Sequence, residues 1–353
     1  MNKDSKIYVA GHRGLVGSAI IRHLRSLKYE NIIVKSSSEL DLTQQQAVND
    51  FFNAEKPSYV FLAAAKVGGI LANSTYPADF IYKNLIIGVN IIHAAHKYDV
   101  KKLLNLGSSC IYPRLAPQPM KESCLLTSEL ESTNEAYAIA KIAIIKMCKY
   151  YNQQYGRNFI SVMPTNQYGE NDNFNMETAH ALTMLMRRFH IAKLIQNDDF
   201  NTIRKDLAKY PIGFGLDSNE IILKDNNEIE RVLNQLGAYR DKVIVWGDGL
   251  TYREFMNSND LADACIYLME NKNFDDIGEL VNITSGTDIL LRDLFYMIKE
   301  ITGFTGDIEY DLTKPNGMPR KLMDMTKIQS LGWKPKIPLK EGIKKFYQYY
   351  MLY

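Results

Sequence analysis

Tyr137 and Lys141, in the run EAYAIAKIA, stand four positions apart and share one face of any helix that carries them. An ammonium beside a phenol favours the phenolate and lowers the tyrosine's pKa toward working pH. Such a tyrosine passes a proton to a carbonyl oxygen as hydride arrives at the carbon. Alone, the spacing fits a surface helix equally well. Its setting favours catalysis: a glycine-loop strand opens the chain, and GSSCIYP (107–113) ends a later strand with Ser108, Ser109 and Cys110.

The elements that position these residues start at KIYVAGHRGLVG (6–17). Ile7 to Ala10 read as a short buried strand, Gly11, Gly14 and Gly17 follow at three-residue spacing, and SAIIRHLRSL reads as a helix. A glycine turn between strand and helix presents free backbone N–H groups at the positive end of the helix dipole, where a pyrophosphate sits. A side chain on those glycines would block the backbone's approach. Gly11, His12, Arg13, Gly14, Leu15, Val16 and Gly17 are therefore expected to hold a dinucleotide.

The end of the second strand, NIIVK (31–35), selects the cofactor. An NAD site carries a carboxylate there for the ribose 2′-hydroxyl, and an NADP site supplies cations instead. This strand runs into Lys35-Ser36-Ser37-Ser38, with no acid before Glu39. Arg13 and Lys35 can bracket a 2′-phosphate, with the serines donating to it, so NADP(H) is favoured over NAD(H). The alternative leaves Lys35 as a solvated surface residue. A polar helix (42–56), a strand SYVFLAAA (58–65), a long helix from about 78 to 98 and a strand KKLLNLGSS (101–109) follow. This alternation predicts an α/β fold with a doubly wound parallel sheet. Ligands of such sheets bind beyond the carboxyl ends of the strands.

A chain of 353 residues suits a nucleotide-binding domain of about 1–165 and a smaller lobe over 166–353. The net charge of +2 is interspersed, which argues against nucleic-acid and membrane surfaces. MNKDSK runs straight into the first strand and no apolar run reaches a membrane span's length, so neither a signal peptide nor a membrane segment is expected. Cys110, Cys124, Cys148 and Cys265 have neither metal nor disulfide spacing, so no metal is expected and a reducing cytoplasm is the natural compartment.

The chain resembles the extended short-chain dehydrogenase/reductases and, within them, the GDP-L-fucose synthase family of GDP-4-keto-6-deoxy-mannose 3,5-epimerase/4-reductases. The matching segments include AGHRGLVGSAI, LAAAKVGGI, LGSSCIYP, NEAYAIAKIA, SVMPTNQYG, RRFH, VWGDG and KPNGMPRKLMD, in the family's order. The resemblance implies a Rossmann domain with a smaller C-terminal α/β substrate lobe. It implies Ser108, Tyr137 and Lys141 as the reductase triad, and Cys110 and His180 as the pair that moves protons in epimerisation. It extends the NADP contacts to Asp41, Leu42, Ala63, Ala65, Leu106, Gly107, Pro164, Asn166 and His180. For a GDP-linked 4-keto-6-deoxy sugar it implies Ser109, Cys110, Asn166, Arg188, Trp246, Arg253, Asp311 and, more weakly, Lys314. The expected role is nucleotide-sugar biosynthesis for surface polysaccharide. The dehydratases of the same fold need an acid pair after the catalytic Ser/Thr, where this chain has Cys110 and Ile111. A C4 reductase without epimerase activity and a non-catalytic dinucleotide-binding regulator remain the alternatives, although such a regulator usually loses the Tyr-Lys pair.

Two departures from the family pattern bear on the sugar. The stretch 191–242 reads as amphipathic helices (IAKLIQ, FNTIRKDLAKY, NNEIERVLNQLG), either an appendage or a lid on the sugar pocket. The run REFMNSND keeps Arg253 and Asp260 and puts Asn257 where the family has histidine, and Ala181 follows His180. The substrate is therefore a hexose or a heptose. Trp246 is either a base-stacking residue or core. The apolar faces of IAIIKMCKYY and FIYKNLIIGVNII permit a homodimer, or else face the protein's own core.

Overall fold

The computed structural model describes residues 1–314 and 316–352. In chain order come β1 (Ile7–Ala10), α1 (Leu15–Ser26), β2 (Ile32–Ile33), α2 (Gln45–Glu55), β3 (Tyr59–Leu62), α3 (Ile70–Thr75), α4 (Pro77–Lys97) and β4 (Lys102–Leu106). Next are α5 (Glu135–Tyr155), β5 (Phe159–Pro164), β6 (Asn166–Tyr168), α6 (Ala181–Gln196), α7 (Phe200–Lys209), α8 (Ser218–Ile221), α9 (Asn226–Gln235) and β7 (Lys242–Trp246). The remainder is β8 (Tyr252–Asn257), α10 (Ser258–Asn271), α11 (Phe274–Ile277), β9 (Val281–Ile283), β10 (Asp288–Leu290), α12 (Leu291–Thr302), β11 (Asp307–Asp311), β12 (Arg320–Lys321), α13 (Thr326–Ser330) and α14 (Leu339–Leu352). The chain divides into two compact units. One holds Met1–Asn171, Glu254–Thr287 and Leu322–Ile337; the other holds Asp172–Arg253, Asp288–Lys321 and the stretch from Pro338 onward.

In the first unit, the described residues form a parallel sheet in the order β2-β1-β3-β4-β5-β9. Successive strand side chains alternate between faces. Ile7 and Val9 join a cluster with α1 and α10, while Tyr8 and Ala10 join another with α2, α4 and α5. Helices thus cover both faces, which is why these strands read as continuous apolar runs. The strand order reverses between β1 and β3, and the carboxyl ends of that pair are where such sheets bind ligands.

Three strands are shorter than their sequence patterns: β4 ends at Leu106, so Gly107 to Ser109 lie beyond it. β2 is the two-residue Ile32–Ile33 because the chain turns at Ser36, whose carbonyl accepts from the Glu39 and Leu40 amides at 3.0 and 2.9 Å. β3 stops at Leu62, leaving Ala63 to Ala65 as loop beyond its end.

In the second unit β7 and β11 pair in parallel. The stretch 191–242 begins inside α6 and continues through α7, α8 and α9. The side chains of Asp199 and Asp225 cap α7 and α9, accepting from the Thr202 and Glu228 amides at 3.0 and 2.9 Å. Arg187 of α6 is fully buried. It donates to Asp206 Oδ1 from Nε (3.0 Å) and Nη2 (2.8 Å), and to the carbonyls of Phe174, Tyr210 and Pro211. Tyr350 of α14 donates to the same carboxylate, so one buried ion pair ties α6, α7 and α14 together. Among the described residues no helix is long and apolar enough to cross a membrane.

Candidate active site

The glycine corner is built for close approach. Gly11 has φ +84°, and a Cβ there would stand 2.7 Å from the Ala64 amide nitrogen at the end of β3. A Cβ on Gly17 would collide with the Gly11 carbonyl. Gly14 caps α1 without a side-chain acceptor, so the first-turn amides of Leu15, Val16 and Gly17 are left for a ligand. His12 is half-buried in the loop, and Arg13 and Gly14 are exposed beside it. Ala63 is held to β1 by its amide, which donates to the Ala10 carbonyl at 3.0 Å, and Ala65 is half-buried further along the same loop.

Beyond β2, Lys35 is half-buried and Ser37 exposed. The Ser36 hydroxyl donates to Glu39 Oε2 at 2.6 Å, and its amide donates to the same oxygen at 2.7 Å. These bonds hold the Glu39 carboxyl below its ordinary range, helped by the charges of Lys35 and Arg13. Asp41 accepts from the Thr43 amide and hydroxyl at 2.9 and 2.8 Å, and the Leu42 carbonyl accepts from Asn90. Two cations therefore stand at this edge, with Ser36 already engaged.

At the end of β4 the chain tightens into a short turn. Gly107 is packed against Met163, and Ser109 is buried. Ser108 Oγ accepts from the Cys110 amide at 3.2 Å. Cys110 Sγ accepts from Asn134 Nδ2 at 3.3 Å. Asn134 immediately precedes α5, so the helix that carries Tyr137 and Lys141 also delivers a donor to the sulfur. Tyr137 is half-buried, hydrogen-bonded with Ser108 and edge-on to Phe80. Lys141 is buried; its Nζ donates to the Leu106 carbonyl at 2.8 Å and lies 5.7 Å from the centroid of the Tyr137 ring. Pro164 ends β5, and Asn166 donates to the Glu254 carbonyl at 2.8 Å.

The expected lowering of Tyr137 by Lys141 is reversed in this fold. Burial, then the Cys110 charge, pushes the Tyr137 phenol up, and the Ser108 hydrogen bond only partly offsets this. Burial also lowers the Lys141 ammonium to about 8. Desolvation disfavours both charged forms and outweighs their neighbour relation. Tyr137 is thus a protonated phenol at neutral pH, the form that donates a proton.

The second unit holds the remaining expected residues. His180 stands at the N-terminus of α6, with Nδ1 3.5 Å from the buried Asp172 carboxylate, which raises its pKa. Arg188, unlike its neighbour Arg187, has no carboxylate partner among the described residues. Its Nη1 donates to the Ile244 carbonyl at 2.7 Å, Nε is buried without a partner, and burial lowers it to about 10. Arg253 likewise bonds only carbonyls, those of Tyr252 (2.8 Å) and Asn316 (3.5 Å), among the described residues. Trp246 is 49% exposed, so it is not core; it pairs with Asp311 across β7 and β11, and Lys314 Nζ lies 5.6 Å from its ring centroid. Asp311 accepts from the Thr313 amide and hydroxyl. An exposed aromatic face and two guanidiniums without acidic partners among the described residues are groups of the kind that bind a nucleoside diphosphate.

Sequence reasoning missed Asn134 and Asp172. Asparagine before a helix reads as an ordinary cap, yet the Asn134 side chain makes no cap bond to α5 and donates to the sulfur instead. Asp172 reaches His180 across a loop with no regular period. The only local signal was a short polar run, NDNF, ahead of the histidine.

Residues 7–208 and 218–284 match the model of the NAD dependent epimerase/dehydratase family. The putative GDP-L-fucose synthase 2 of Arabidopsis thaliana is 50% identical over 351 residues, 99% of this chain and 93% of that protein. The structure of a GDP-6-OMe-4-keto-L-xylo-heptose reductase from C. jejuni matches with TM-score 0.92 at 40% identity, covering 100% of this chain and 99% of that one. MlghC, a GDP-mannoheptose C4 reductase from Campylobacter jejuni solved with NADP bound, matches with TM-score 0.87 at 41% identity over 99% of both chains.

Proposed function

We propose, since this chain belongs to the NAD dependent epimerase/dehydratase family and to its GDP-L-fucose synthase branch, that it is an NADPH-dependent 3,5-epimerase/4-reductase of a GDP-4-keto-6-deoxy sugar. The observation that carries this reading is the corner at the end of β4. Ser108, Cys110, Asn134 and Tyr137 are joined there by hydrogen bonds, with a nucleophilic sulfur beside two hydroxyls.

The chain's residues fit NADPH. The Gly11 and Gly17 contacts leave room for nothing but backbone, α1 offers uncapped amides to a pyrophosphate, and Arg13 and Lys35 suit a 2′-phosphate. NADPH, when bound, supplies hydride to C4 of the sugar. Asn166, Pro164, Leu106 and Gly107 line the same strand ends. For the other ligand, Arg188 and Arg253 suit the diphosphate, Trp246 the base, and Asp311 and Lys314 the ribose and phosphate edge.

The chemistry follows from one carbonyl. A 4-keto group acidifies the protons on C3 and C5. Cys110 Sγ, as thiolate, takes one of them, and the negative charge that develops on O4 is met by the hydroxyls of Ser108 and Tyr137. His180, whose protonated form the Asp172 carboxylate favours, is the acid that returns a proton and inverts the carbon. When hydride reaches C4, Tyr137 donates its phenolic proton to O4. Lys141, anchored to the Leu106 carbonyl, holds the charge that offsets the phenolate left behind. Both reactions need the same polarised oxygen.

A homodimer through α4 and α5 belongs to this reading. The two helices pack closely where Gly88 meets Ile144, yet leave Tyr82, Ile139 and Tyr150 exposed. So does a cytoplasmic location, where GDP-sugars and NADPH are made. The test is turnover of GDP-4-keto-6-deoxy-mannose and its heptose counterpart with NADPH in deuterated water, with the product read by NMR. Deuterium at C3 and C5 with NADPH consumption is expected for the preferred sugar. The matches to heptose C4 reductases favour a second reading, reduction alone, which predicts NADPH consumption with no label at either carbon.

A further inference from the structure

We infer that Asp172 is a positioning residue for epimerisation: its buried carboxylate holds His180 by Nδ1, as the imidazolium, and leaves Nε2 to deliver the proton. This rests on the reading of His180 as the epimerisation acid. The Asp172 side chain is 2% exposed, so its charge must be met within the protein. Oδ1 accepts from the Asn173 amide at 2.8 Å, and Oδ2 accepts from the hydroxyl of Thr183, itself fully buried in the first turn of α6. Those donors are neutral. Among the described residues the one cation that reaches Asp172 is His180, at 3.5 Å, and His180 Nε2 takes no hydrogen bond.

The Thr183 hydroxyl holds the Asp172 carboxylate in place, and the carboxylate in turn fixes the ring through Nδ1. The neighbouring charges are otherwise engaged. Glu177 on the same loop accepts from the Phe214 amide at 2.6 Å, and Arg187, further along α6, is bonded to Asp206 of α7. Of these charged groups, His180 is the one bonded to Asp172, so loss of the Asp172 charge is read at that ring. The direction of the His180 shift, upward through the Asp172 hydrogen bond, agrees with this geometry.

The sign is fixed by the role. An acid works while protonated, so exchange falls as pH rises through the His180 midpoint, and removal of the carboxylate moves that fall to lower pH. The experiment measures deuterium uptake at C3 and C5 of GDP-4-keto-6-deoxy-mannose with NADP+ bound, between pH 5.5 and 9, which separates epimerisation from reduction. Asp172→Asn is expected to exchange about tenfold more slowly than wild type at pH 8, to come within about twofold of it at pH 6, and to bind NADPH unchanged. Thr183→Val, which loosens the same loop but keeps the charge, leaves the midpoint in place. The His180 ring titration, followed by NMR without substrate, moves to lower pH in Asp172→Asn whatever its stability. Coincident pH profiles and ring titrations for Asp172→Asn and wild type would overturn the inference. His180→Asn identifies the other failure: wild-type exchange in that variant removes His180 as the acid, independently of anything Asp172 does.

Discussion

Replacing Arg188 by methionine is expected to stabilise the ligand-free protein and weaken its hold on GDP. The guanidinium is 6% exposed, pairs with no carboxylate among the described residues and has an unpartnered Nε. Burial lowers it to about 10. Its folded value lies below the unfolded one, so the cost of keeping the charge is full at neutral pH and fades only as pH rises through about 10. That cost is roughly 3 kcal/mol. Methionine has similar length and carries no charge, but it strands the Ile244 carbonyl that Nη1 meets at 2.7 Å, a loss of about 1–2 kcal/mol. The balance is a gain of roughly 1–2 kcal/mol, about 1.5–3 °C in Tm for a protein of this size. Against GDP the same change deletes charge-assisted bonds to phosphate of about 1.5–3 kcal/mol, which raises Kd roughly 10- to 150-fold. Differential scanning calorimetry of the ligand-free protein and isothermal titration with GDP read the two effects. A lower Tm, or unchanged GDP affinity, would refute the reasoning that this charge is buried in readiness for an anion.

Three further outcomes are expected. In Gly17→Ala the new methyl collides with the Gly11 carbonyl, and the shift this forces should raise the NADPH Kd about tenfold or more in a fluorescence titration; wild-type affinity would mean that the corner does not hold the cofactor. Because burial lowers Lys141 to about 8, its charge is present below that value and lost above it, so NADPH consumption should fall as pH rises through about 8; a flat profile to pH 10 would contradict this. Asp206→Asn leaves the buried Arg187 charge unpaired and should cost about 3–5 kcal/mol in chemical denaturation; an unchanged midpoint would show that the pair does not support the α6, α7 and α14 packing.

What was legible in the sequence was local. The glycine corner and the Tyr137–Lys141 spacing each fall within one strand–turn–helix or one helix, so residue types and periodicity suffice to find them. The dielectric around them is a tertiary property. That is why the sequence suggests a phenol lowered by lysine, whereas burial pushes it up. Arg187 and Arg188 are adjacent and chemically identical. Their turn around α6 sends one to Asp206 and the other to a carbonyl, and no pattern in RRFH distinguishes them. β11 went unread as a strand because three of the five residues of DIEYD are acidic, and its exposed residues hide the pairing with β7 that brings Asp311 beside Trp246. Asp172 was invisible for a similar reason: its partner lies across a loop of irregular backbone.

The central claim is that one site, at the end of β4, both moves protons on carbon and delivers the proton for reduction. The most direct measurement compares wild type with Cys110→Ser on GDP-4-keto-6-deoxy-mannose, with NADPH in deuterated water, reading the product by NMR and NADPH by absorbance. The account predicts deuterium at C3 and C5 for wild type, and loss of that label in Cys110→Ser. Equal labelling in the two proteins would contradict Cys110 as the base, and NADPH consumption without label in wild type would leave a C4 reductase alone.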